Sequence, residues 1–170
     1  ASELGSYITQ GASQLTSFGE SVTNGRQGSK SYGWEGSSSE RDSVSQSYQR
    51  VEDFAQQHNI TAASAMAVGL AAKMGVGKSV GPNSLGVEAN GSGSLKGMSQ
   101  DTWTELVKAA ETSGLASDVS RISSTRTAAT ASTNDGTQTT ASESKIFSLD
   151  EGERLAETYI TRLEEAQNYS

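Results

Sequence analysis

Between Ile60 and Leu95 the chain reads ITAASAMAVGLAAKMGVGKSVGPNSLGVEANGSGSL, and its side chains alternate with period two. The even positions carry Ala62, Met66, Val68, Leu70, Ala72, Met74 and Val76, while the odd positions carry Ala63, Ala65, Ala67, Gly69, Ala71, Gly75 and Gly77. One face of an extended chain is then large and apolar and the other small. Beyond the turn-like Gly81-Pro82-Asn83-Ser84 the alternation resumes, with Leu85, Val87 and Ala89 opposite Gly86, Glu88 and Asn90. This pattern predicts a β-hairpin over residues 59–97. An Ala-rich helix from Thr61 to Lys73 competes, because Ala has the best helix propensity; the alternation favours strand. An isolated hairpin is marginal in water, so this one needs a partner edge, a second copy or helices of its own chain to pack on.

Outward from the hairpin the period changes to that of a helix. Leu4, Ile8, Ala12, Leu15, Phe18 and Val22 form one stripe ending at Gly25. Residues 25–38 are a Gly/Ser-rich loop carrying Tyr32 and Trp34, which read either as aromatics packed on a helix or as a partner-binding anchor. Ser39 is a candidate N-cap for a helix over 39–58 with Val44, Tyr48, Val51 and Phe54 on one face, and Asn59 fits a left-handed C-terminal position. Ser99 caps a helix with Trp103, Leu106, Val107 and Ala110 on one side, and the stripe continues through Leu115, Val119 and Ile122 past a break at Ser113-Gly114. This is one bent helix or two short ones. Residues 127–145 read as a flexible Ser/Thr-rich connector. Ser148-Leu149-Asp150-Glu151 is a capping box opening a last helix with Leu155, Tyr159, Leu163 and Ala166 on one side, widened by Ala156 and Ile160.

The expected fold is therefore α+β and mainly helical, with amphipathic helices around one central Gly/Ala-rich hairpin. Three segments, 1–58, 59–97 and 98–170, form one structural unit. The expected contact residues are Met66, Val68, Leu70, Met74 and Val76 on the apolar strand face, together with Trp34.

No catalytic, cofactor-binding or metal site is expected. The chain has no Cys and a single His, His58, which suits a helix-end or surface role. Gly75-Val76-Gly77-Lys78-Ser79 ends like a phosphate-binding loop, but its first glycine would fall at Ala72 and Gly81-Pro82 follows at once where a helix should open. The acidic side chains from Glu151 to Glu165 read as a solvated face. A net charge of -7 argues against nucleic-acid binding, and no apolar run is long enough for a membrane-spanning helix. Ala1 in place of an initiator Met reads as a fragment or processed product.

The order of these parts carries a resemblance. Ser/Thr-rich amphipathic helices, the alternating segment from Ile60 to Val76, and a Ser/Thr-rich region leading into Ser148-Leu149-Asp150-Glu151-Gly152-Glu153-Arg154-Leu155-Ala156-Glu157-Thr158-Tyr159 are similar to the C-terminal region of the TraG family, inner-membrane conjugation proteins of F-like type IV secretion systems. The resemblance implies a periplasmic region of a membrane-anchored parent chain. It implies roles in pilus assembly, mating-pair stabilisation and entry exclusion, with other conjugation proteins and the recipient's exclusion protein as partners. It supplies no catalytic residue. A hairpin that inserts into a membrane or associates with a pore is the alternative, since a strand with one apolar face matches a barrel stem.

Overall fold

The computed structural model describes residues 2–23, 37–77, 80–82, 95, 98–133 and 147–169. Among the described residues there are six helices and no strand: α1 (Ser2–Thr23), α2 (Ser38–His58), α3 (Ala62–Met74), α4 (Gln100–Ser113), α5 (Leu115–Thr133) and α6 (Leu149–Tyr169). The α+β expectation is overturned at its centre. The first strand of the expected hairpin is α3, and Leu85, Val87 and Ala89 of the second lie outside the described residues.

The correction has a physical reason in where α3 sits. It touches all five other helices, and every residue from Ser64 to Ala71 is buried. A helix buried on all sides has no polar face and so no 3.6-residue signature. Met66, Leu70 and Met74 recur every four residues on one side, while Val68 and Ala72 point the other way. Spread around the helix, these large groups alternate in sequence without lying on one strand face. A strand placed here would leave its N–H and C=O groups without a ladder, whereas a helix satisfies them internally. Gly69 supplies the close approach to α5: a Cβ added there would stand 2.5 Å from Cγ2 of Val119.

Both ends of α3 are specified locally. Ser64 N donates to the Thr61 hydroxyl at 3.0 Å, a serine/threonine N-cap. Gly75 ends the helix at φ 74°, with Gly75 N donating to Ala72 O at 3.2 Å and Val76 N to Ala71 O at 3.0 Å. That pair of bonds is a Schellman motif, and only glycine takes its left-handed position without strain. The chain then passes under α4, where the Trp103 indole donates to Gly77 O at 2.6 Å. Gly75 to Gly77 thus follow a helix and not a strand; Lys78 and Ser79 lie outside the described residues.

The other helices follow their stripes. Leu4, Ile8, Ala12, Leu15, Phe18 and Val22 of α1 are all buried. The N-cap of α2 is Ser37, not Ser39: Glu40 N donates to its hydroxyl at 3.1 Å and Ser37 N to the Glu40 carboxylate at 3.0 Å. The three-residue spacing to Glu40 selects among the serines, and the Ser37 amide, then its hydroxyl, holds the Glu40 carboxyl below its ordinary value. Asn59 takes the left-handed position at φ 58°. Gly114, at φ 83°, separates α4 from α5 as two helices. The expected connector starts later than its sequence suggests, since α5 runs to Thr133; residues 134–146 lie outside the described residues. Ser148 caps α6 through Glu151 N at 3.4 Å, but its own amide donates to the Tyr7 hydroxyl at 2.9 Å in place of the reciprocal Glu151 bond.

The α1–α2 contact carries a titratable group. The Tyr48 ring lies where a Cβ on Gly19 would be, 2.5 Å from its Cδ1. Burial, then the charges of Glu52 and Glu20, pushes its phenol up to about 12. An unfolded phenol ionises near ~10, so between those values the folded chain keeps a proton that the unfolded chain has released. Stability is intact below the lower value and falls as pH rises toward the upper one. Denaturant melts across that alkaline window should show this loss, and Tyr48→Phe should flatten it.

Candidate interaction surface

The side chains that the sequence marks as contacts are interior. Met66, Val68, Leu70 and Val76 are 0% exposed and Met74 is 7% exposed. They line a core to which all six helices contribute, so the folded chain presents none of them to a partner. Trp34 lies outside the described residues.

Two polar features emerge that periodicity could not locate. The first is Asp118, buried in the first turn of α5, which accepts from Arg50 Nη1 at 2.7 Å and Arg121 Nη1 at 3.3 Å. Arg121 also donates to the Ser47 hydroxyl at 3.1 Å. One carboxylate held by two guanidiniums is poorly placed as a general base and well placed to tie α2 to α5. A cavity of about 170 Å³ beside it is lined by Asp53, Phe54, Gln57 and Ser113. Among the described residues no three His, Asp or Glu side chains converge in a way that could hold a metal ion.

The second feature lies where α6 meets α1. Phe147 is buried in the notch left by Gly11, and its ring centroid is 5.1 Å from that of Tyr7. The Phe147 amide donates to the Gln14 side-chain oxygen at 2.8 Å. Tyr7 Oη accepts from Ser148 N and donates to Ser148 O at 3.3 Å, while Arg126 Nη1 donates to Phe147 O at 3.5 Å. From this anchor α6 runs back along α1 toward Glu3 and Leu4. Gly152 and Ala156 of α6 are buried, whereas Leu155, Tyr159, Ile160 and Leu163 are only half-buried. Its apolar arc is wider than the surface that α1 covers.

The uncovered part is a groove between the two helices. Its deeper end, about 250 Å³, lies among Glu3, Leu4, Leu155, Tyr159, Arg162 and Leu163. A shallower stretch of about 480 Å³ continues past Ser6, Tyr7 and Gln10. The outer side of α6 is strongly acidic, with Asp150, Glu151, Glu153, Glu157, Glu164 and Glu165 against Arg154 and Arg162. The stripe itself was visible in the sequence through Leu155, Tyr159 and Leu163. That it stays half open was not, because this depends on where α1 lies.

No helix among the described residues is long and apolar enough to cross a membrane. No family model, no curated protein and no solved structure matches this chain.

Proposed function

We propose that this chain is a non-catalytic interaction domain belonging to the periplasmic part of a bacterial conjugation protein of the TraG kind, acting in mating-pair stabilisation and entry-exclusion recognition. The resemblance of its segment order to that family supports the biological setting. The observation that carries the contact role is the α1–α6 groove, an apolar strip with a polar rim between two helices. A helix-in-groove contact is the recognition mode that such a surface suits. The membrane-inserting hairpin has lost its premise, since its first strand is the buried helix α3.

The test is a conjugation assay in which the parent protein carries Tyr159→Glu. The expected result is reduced exclusion by a recipient bearing the exclusion protein, with loss of capture of that protein by the purified domain. Unchanged transfer, exclusion and capture would overturn the reading.

A further inference from the structure

We propose that Met74 is an oxidation site on which the docking of α6 depends: a peroxide converts its thioether to the sulfoxide, and the sulfoxide holds α6 off the remaining helices. The proposal concerns how α6 is held and is independent of the groove being a contact surface.

The three methionines stand in different environments. Met66 is completely buried in the middle of α3, Met74 is buried at its last residue, and Met98, just ahead of α4, is only partly covered. Met74 is closed over by one residue of α6. A Cβ added to Gly152 would overlap Met74 Cε and stand 3.4 Å from its Sδ, with Tyr7 Cε2 at 3.5 Å. That cover is lightly held. Among the described side chains, residues 147–169 contribute only Phe147 and Ala156 to the buried apolar core, and the rest comes from residues 4–122. A helix seated by so few buried groups opens at lower free energy than the core it lies on. Each opening bares the Met74 sulfur, whereas Met66 is reached only when α3 itself unfolds.

The chemistry of the thioether then decides whether α6 can return. A sulfur lone pair attacks one oxygen of hydrogen peroxide, the O–O bond breaks, and the proton of the transferred oxygen passes to the departing hydroxide, which leaves as water. Sulfur loses two electrons and the peroxide gains them. The product is polar where the thioether was apolar. Its new oxygen needs room and a hydrogen-bond donor once buried. Gly152 offers neither, because its backbone fills the space beside the sulfur and its N–H already donates to Ser148 O at 2.9 Å. Since Met74 ends α3, lifting α6 hydrates the sulfoxide and leaves Ser64 to Ala71 in place.

The test treats the whole chain with hydrogen peroxide and follows each methionine by peptide mass spectrometry, with Met98 as the control for a partly covered thioether. Met74 should oxidise at least about tenfold faster than Met66, as a local opening precedes global unfolding. Hydrogen exchange on the oxidised chain should show α6 amides losing about tenfold or more in protection while those from Ser64 to Ala71 change little. Methionine sulfoxide reductases of both epimer specificities should restore it. Met74→Leu keeps the side-chain volume and removes the sulfur, so in peroxide its α6 should stay protected while Met98 still oxidises. Oxidation of Met74 no faster than that of Met66 would overturn the proposal, as would Met74 sulfoxide beneath a fully protected α6. Release of α6 by peroxide in Met74→Leu would overturn it by tracing the effect to another side chain. Equal loss of protection in α3 and α6 on oxidation would overturn it too, since the sulfoxide would then be a lesion of the whole core.

Discussion

Leu70→Asp is expected to unfold the domain. Leu70 is completely buried on α3, and removing its packing costs about 2–5 kcal/mol. The carboxylate adds the penalty of an unpaired buried charge, several kcal/mol more in practice. Together these reach the lower part of the ~5–15 kcal/mol that holds a typical domain folded. Circular dichroism should therefore show loss of most helical signal and no cooperative melt. Lys73→Gln, exposed in the last turn at the end of the same helix, should stay within about 0.5 kcal/mol of the parent. A hairpin reading makes the opposite prediction, because there Leu70 belongs to a face offered to a partner, and a charge on it abolishes binding while the fold survives. A Leu70→Asp protein that remains helical and melts cooperatively would remove α3 from the core.

The contrast between α3 and its neighbours explains what the sequence makes legible. The stripes of α1, α2, α4 and α6 were readable because each helix has a solvent side, and the change from apolar to polar around the helix is the signal. The central helix has no such side, so its period vanished and the alternation of large and small groups took its place. Its end signals were present all the same. Thr61 three residues before Ser64, and Gly75 before a buried Val76, are the start and stop of a helix, and a reading that weighed caps above periodicity would have recovered it. The serines before Glu40 show the same lesson on a smaller scale: spacing to the acidic partner, and not nearness to the apolar run, picks Ser37.

The glycines of α1 were legible only as a cost. Gly11 and Gly19 each lower helix propensity by about 1 kcal/mol relative to Ala, yet Gly11 seats Phe147 and Gly19 seats Tyr48. Nothing local reveals which aromatic side chain, far away in sequence, will fill a notch. The groove was hidden for the same reason. Leu155, Tyr159 and Leu163 announce an apolar face, but the part left open is set by long-range placement of α1.

Phe147→Ala should release α6 while the remaining helices stay folded. The ring is 1% exposed, and truncating a buried Phe costs about 3–5 kcal/mol. That loss falls mostly on one element, because beyond the anchor, among the described side chains, α6 places only Gly152 and Ala156 fully inside, whereas α3 touches every other helix. The backbone bonds to Gln14, Tyr7 and Arg126 depend on the same seating of residues 147–148 and weaken with it. Hydrogen exchange should show amides of α6 losing roughly a hundredfold or more in protection, while those from Ser64 to Ala71 change little. The groove between α1 and α6 would lose one wall, although neither Tyr159 nor Leu155 has been altered. Equal loss of protection in α3 and α6 would instead place α6 within the global cooperative unit.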